Sequence, residues 1–287
     1  MILDRIELAD IRGPKLMARK LHEQVGTLNG PVPIEEIAEA LDIVEVRIAE
    51  FDGFEGMLLT DTSRREGAIL ANARGGPRRA RFTIAHELGH YLLERHVLSD
   101  EAGFRCRSAD LREGREDNQH RIQETQANQF AAEVLCPCAA VTKLLSGEAD
   151  LRDGERLRDR FEISLEAAVR RIVDVHDEPL AAIWSKDGQI RYAVKGRDFP
   201  FLTCKPKSRL PKDSPAVRAV ARGARGVTAI ADAPPNAWTD QPGVEILEQT
   251  RVGKSGHAVT LLWMTNGPDA DEEDDELLPE LGQGRFR

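Results

Sequence analysis

Eleven residues constrain this chain more than any other stretch: Arg81-Phe-Thr-Ile-Ala-His86-Glu87-Leu-Gly-His90-Tyr91. They lie within a helical period that runs from Pro77 to about Glu94. Residues four apart on a helix share a face one turn apart, so His86 and His90 can offer two imidazole nitrogens to one cation. Glu87, turned by one residue, is placed to act as general base on a water beside that ion. The competing reading is a buried helix with two incidental histidines. A site of the first kind needs a third protein ligand and an open fourth position.

The candidate third ligand lies downstream, in Glu124-Thr-Gln-Ala127-Asn128-Gln-Phe130-Ala131-Ala132-Glu133-Val-Leu-Cys-Pro137. Ile122 to Leu135 has a helical period, and Glu124 and Asn128 share one face of it. Ala127, Ala131 and Ala132 are small enough to let a second helix approach, while Phe130, Val134 and Leu135 supply a core stripe. Packed on the His86 helix, Glu124 can ligate while Asn128 orients a histidine from behind. Glu133 is the rival carboxylate, nearer the helix end. Zinc is the default ion, and two histidines with one carboxylate also suit manganese or iron.

Together these two stretches resemble the ImmA/IrrE family of bacterial metallopeptidases, over about residues 14–175. The resemblance implies that His86, His90 and Glu124 hold the metal and that Glu87 is the catalytic base. It implies a zincin-like domain, with a small sheet, the His-Glu-x-x-His helix and packing helices. It also implies an intracellular protease that cleaves an XRE-like helix-turn-helix repressor and so derepresses its genes. The chain departs from the family pattern in its Val-Leu-Cys-Pro-Cys close and in a long spacer. Glu124 follows His90 by 34 positions, and the spacer carries Arg105, Arg107, Arg112, Arg115 and Arg121. For the oxyanion donor that peptide hydrolysis needs, Tyr91, His96 and His120 are the nearby candidates, with Tyr91 read mainly as a packing residue.

The remaining sequence frames this site. Amphipathic helices are expected at Pro14 to Val25 and Ile34 to Leu41, then strands at Ile43 to Ile48, Phe54 to Leu59 and Ala68 to Ala71. Ser99 to His120 reads as a polar excursion. Helices follow at Ala139 to Leu145, Gly154 to Arg160 and Ser164 to Val175, the last with Ser164 as N-cap. Leu157 to Val173 resembles a helix-turn-helix, yet Leu151 to Val175 holds six arginines and six acids, against the positive surplus that phosphate binding favours. After Pro179 a hairpin at Ser185-Lys186-Asp187-Gly188, a helix near Ala216 to Arg222 and strands at Val244 to Thr250 and His257 to Met264 make a sheet-rich region. It resembles a GAF-like sensor domain, with Trp184, Trp238 and Trp263 as core or pocket residues.

The expected fold is therefore α+β: a metallopeptidase domain at 1–147, a helical segment at 148–177, a sheet-rich sensor-like domain at 178–267 and an acidic disordered tail at 268–287. The net charge of −9 belongs mostly to that tail, where seven of the eight residues Asp269 to Glu276 are acidic. The near-neutral body calls for neither nucleic acid nor membrane. Four cysteines in 287 residues are too few for a disulfide framework, and the start of the chain lacks a secretory pattern, so the expected setting is cytoplasmic. Cys136-Pro-Cys138 reads as small packing cysteines, and Lys205 to Lys212 as a solvated basic loop. Two other functions compete with proteolysis: a DNA-binding regulator with a vestigial metal helix, and an antitoxin-like interaction module.

Overall fold

In the computed structural model, which describes residues 1–28, 30–97, 103–106, 118–223, 225–234 and 236–266, the chain is α+β and divides into two compact units, Met1–His176 and Asp177–Arg287. The first unit opens with three helices, α1 (Ile6–Ala9), α2 (Pro14–Val25) and α3 (Ile34–Ala40). Strands β1 (Ile43–Ala49), β2 (Gly56–Thr60) and β3 (Gly67–Asn72) follow, then α4 (Pro77–Leu92), β4 (Gly103–Cys106) and α5 (Asn118–Leu135). The unit closes with α6 (Cys138–Thr142), α7 (Leu151–Phe161) and α8 (Leu165–Val175). Its sheet has the order β1-β3-β2-β4, with β1 parallel to β3 and the other pairs antiparallel. β1 is an edge strand, and Val44 and Ile48 stand exposed on it despite their apolar side chains.

Helix α4 is the buried axis of this unit. It starts where Gly76 takes φ +81° and Pro77 occupies the first turn, a position whose missing N–H would have had no helical partner. Every residue from Thr83 to Leu92 is buried, as a helix packed on several sides requires. Gly89 allows the close approach of α5: a Cβ there would stand 3.0 Å from Phe130 and 3.3 Å from the Ala127 backbone. The small residues of α5 and its Phe130, Val134 and Leu135 stripe thus do what their pattern suggests.

The far end of α4 is closed by an arginine from the β2–β3 loop. Buried Arg64 donates through Nη1 to the carbonyls of His90, Tyr91 and Leu93, at 2.9, 3.0 and 3.1 Å, and through Nη2 to that of His96. The last carbonyls of a helix have no partner within it, and here a guanidinium with five donors supplies one. Arg5 in turn donates to the Arg64 carbonyl and to the Tyr91 hydroxyl, and pairs with Asp42 at 2.9 Å.

The excursion expected over Ser99 to His120 is corrected in two places: Gly103–Cys106 is strand β4, and α5 already begins at Asn118. The chemistry of a polar, arginine-rich stretch hides a strand whose pairing comes from β2. Arg107, Arg112 and Arg115, like the acidic tail at 268–287, lie outside the described residues. Helices α7 and α8 join through Glu162, in the left-handed region at φ 52°, and Ser164, whose hydroxyl caps α8 by accepting from Ala167 N at 3.0 Å.

The second unit is sheet-rich. It holds β5 (Leu180–Lys186), β6 (Gln189–Lys195), α9 (Pro215–Arg222), β7 (Gly226–Val227), β8 (Ala231–Asp232), β9 (Glu245–Val252) and β10 (His257–Asn266). Its sheet runs β6-β5-β10-β9-β7, with β8 also on β9. Trp238 is in its core, donating from Nε1 to the buried Glu248 carboxylate at 2.7 Å. Trp263 is buried as well, and Trp184 stacks on Tyr192 with ring centroids 4.9 Å apart. No helix among the described residues is long and apolar enough to cross a membrane.

Arg64→Met tests the cap. It strips the guanidinium from four carbonyls in a buried setting and is expected to cost the first unit about 3 kcal/mol, read from the shift in its chemical denaturation midpoint. A change below about 0.5 kcal/mol, the scale of an indifferent surface substitution, would contradict that role.

Candidate metal centre

Helices α4 and α5 bring three donors to one point. His86 Nε2 and His90 Nε2 are 3.1 Å apart. Glu124 places Oε2 at 3.3 Å from the first nitrogen and Oε1 at 3.2 Å from the second. All three ligand atoms lie within 4.8 Å of one another. The group is closed off, with His86 and Glu124 each 5% exposed and His90 fully buried. The helical spacing of four puts the two rings edge to face, with centroids 4.7 Å apart.

Behind the donors sits a second row of polar groups. His86 Nδ1 meets Asn128 Oδ1 at 3.1 Å, the contact that the shared face of Glu124 and Asn128 led one to expect. An amide oxygen can only accept, so His86 carries a proton on Nδ1, and Nε2 is the nitrogen left to face a cation. His90 Nδ1 meets His96 Nδ1 at 2.9 Å, and His96 Nε2 meets Gln126 Oε1 at 2.9 Å. Sequence spacing gave no sign of this pair, because His96 lies past the end of α4 and reaches His90 only through the turn that follows it.

The electrostatics match a site for a positive charge. Burial pulls the His86 pKa down, but the hydrogen bond to Glu124, the Glu87 charge and the Glu124 charge carry it above its ordinary value. Burial drives His90 down to about 3, and the adjacent His86 acts in the same sense against Glu124. Burial would raise the Glu124 carboxyl; its close contacts with the His86 and His90 rings overturn that and hold it far below the usual range. His96 is lowered to about 4, by burial first and by the Arg64 charge. Two imidazole nitrogens and a carboxylate facing one another are a donor set that a divalent cation fits.

Glu87 is fully buried and its carboxylate lies against β2. A Cβ at Gly56 would overlap Glu87 Oε1 and the methyl of Thr83. Glycine at this position therefore admits the carboxylate between helix and sheet, a requirement that a lone glycine before an apolar strand does not announce. Glu133, the rival carboxylate, is engaged elsewhere: it is buried, 3.2 Å from Arg171 Nη1 and 3.1 Å from Cys138 Sγ. Cys136-Pro-Cys138 accordingly does more than pack, since Arg171 also donates to Cys138 Sγ at 3.0 Å. Of the three oxyanion candidates, Tyr91 is buried and hydrogen-bonded to Arg5 and the Arg64 carbonyl, as a packing residue would be. His96 stands behind His90. His120 lies at the edge, 29% exposed, with Nε2 3.9 Å from Glu124 Oε1.

Residues 38–173 match the Peptidase_M78 family, described as the IrrE N-terminal-like domain. No curated protein matches the sequence. Among solved structures, a Mycobacterium tuberculosis transcriptional regulator is similar with a TM-score of 0.55 and 17% identity, over 91% of this chain and 80% of that one. At that identity the likeness speaks for the fold alone.

Gly56→Ala is expected to destabilise the first unit by about 1–3 kcal/mol through overpacking against Glu87 and Thr83. Part of that loss is expected to return in a Glu87→Ala background, and a double-mutant cycle on denaturation midpoints measures it. Strict additivity would mean that the glycine and the carboxylate do not meet.

Proposed function

Because residues 38–173 match the Peptidase_M78 family of IrrE N-terminal-like domains, we propose that this chain is a zinc-dependent metalloendopeptidase. In this reading His86, His90 and Glu124 hold the ion, Asn128 orients His86, and Glu87 is the catalytic base. The observation that carries it is the convergence of two imidazole nitrogens and a carboxylate within 4.8 Å in a buried space. Manganese or iron would suit the same donors.

The bound ion supplies Lewis acidity to a scissile carbonyl and makes water a competent nucleophile at neutral pH. The chain's own residues do the rest. Glu87, one residue beyond His86 and wedged by Gly56, takes the proton of the attacking water and returns it to the leaving amine. Its burial keeps competing solvent from the carboxylate. β4 is the sheet edge beside Gly56 among the described residues, pairing Cys106 with Gly56. An extended peptide can add to such an edge through main-chain hydrogen bonds. His120, partly exposed beside Glu124, is the best placed of the three candidates to face the developing oxyanion.

On this reading the substrate is of the class that the resemblance implies, an XRE-like helix-turn-helix repressor, whose cleavage would release its genes in the cytoplasm. A sensor role for the second unit fits such a switch. The DNA-binding alternative is disfavoured by α8 itself. Of its two arginines, Arg171 is buried on Glu133 and Arg170 lies 3.3 Å from Glu166, so the helix offers phosphates little net charge.

The test pairs the purified chain with the repressor encoded beside its gene, with and without chelator. The wild type is expected to cleave and the chelated protein to be inert. Glu87→Gln is expected to keep its metal and lose about 10²–10⁴-fold in cleavage rate. Cleavage that survives both treatments would contradict the assignment, as would sequence-specific DNA binding that persists without His86 and His90.

A further inference from the structure

A histidine can ligate through Nε2 only when its proton sits on Nδ1, and some acceptor must hold it there. For His86 that acceptor is an amide oxygen, Asn128 Oδ1. For His90 it is another imidazole. His96 Nδ1 lies 2.9 Å from His90 Nδ1, and two ring nitrogens at that distance share one proton between a donor and an acceptor. Which of them donates is decided one step further out. His96 Nε2 is 2.9 Å from Gln126 Oε1, and an amide oxygen only accepts. His96 Nε2 therefore carries the hydrogen, His96 Nδ1 is bare, and His90 Nδ1 must be the donor. The chain of bonds ends with a lone pair at His90 Nε2, aimed at His86 Nε2 and Glu124 Oε1.

We propose that His96, held by Gln126, is the positioning residue that fixes the tautomer and ring orientation of His90. The proposal deepens the metallopeptidase reading and rests on His90 being a ligand there. The ring of His96 is braced for this task. Its backbone N–H donates to the Leu93 carbonyl at 2.9 Å, folding the chain back just after α4 ends. Its carbonyl accepts from Arg64 Nη2, the same guanidinium that closes α4 at His90, Tyr91 and Leu93. His96 is buried, 3% exposed, so water does not compete for its Nδ1. Arg64 thus ties together the backbone of His90 and the backbone of His96, and the Nδ1–Nδ1 distance follows from that tie.

Two substitutions separate orientation from packing. His96→Leu keeps the approximate volume and removes the acceptor. His96→Asn places an amide oxygen where Nδ1 stood. Zinc affinity is read by competition with a chromophoric chelator, and tautomers by two-bond ¹H–¹⁵N spectra of histidine-labelled protein. In the wild type, His90 is expected to show a protonated Nδ1 and a bare Nε2. His96→Leu is expected to lose that signature and to bind zinc about 10–100-fold more weakly. His96→Asn is expected to recover most of the affinity. A wild-type spectrum with the His90 proton on Nε2 overturns the proposal, whether or not the variants fold. So does a His96→Leu protein that matches the wild type in affinity and tautomer. Failure of the wild type itself to take up zinc would instead contradict the metallopeptidase reading, while the apo spectrum would still decide the His96–His90 bond.

Discussion

Three electron-rich groups pressed together in a dry space need a positive charge between them. His86 Nε2, His90 Nε2 and Glu124 stand within 4.8 Å of one another, and in the neutral tautomers with the proton on Nδ1, which Asn128 favours for His86 and which we propose for His90, neither imidazole donates there. A single proton on His86 is the smallest charge that relieves the cluster. A divalent cation relieves it better, since it can meet all three donors at once. Most of the surrounding architecture serves to hold this otherwise repulsive arrangement.

That holding is distributed over the whole first unit. Gly89 and the alanines of α5 let two helices approach until an imidazole on one reaches a carboxylate on the other. Gly56 removes the one side chain that would displace Glu87. Arg64 closes the end of α4 immediately after His90 and anchors the turn to His96. The buried Glu133–Arg171 pair, at 3.2 Å, ties α5 to α8. Buried pairs of this kind add little net stability relative to apolar packing, but leaving either partner alone is costly. It therefore favours one placement of α8 over others, which bears on why a helix-turn-helix-like pair can be a structural part of this unit.

What could be read in advance was whatever repeats with the helix. A spacing of four joins His86 to His90 and Glu124 to Asn128, and both pairs appear where that period puts them. Capping chemistry was equally legible at Ser164. Contacts across chain reversals were not. His96 lies past the end of α4, Arg64 reaches back from a hairpin 26 positions earlier, and Gly56 matters only because a strand passes over a helix. The strand Gly103–Cys106 was hidden for a similar reason: an edge strand takes its conformation from its neighbour, and its own residues carry little of the signal. Glu133 and Glu124 looked alike as buried-helix carboxylates until Arg171 distinguished them.

The central claim is that His86, His90 and Glu124 hold one cation together. Anomalous diffraction at the zinc edge, from crystals grown with one equivalent of zinc, tests it most directly. A single strong peak is expected about 2.0–2.2 Å from His86 Nε2, His90 Nε2 and a Glu124 oxygen, with a water completing the shell. A peak held by other residues, or none beside these three, would contradict it.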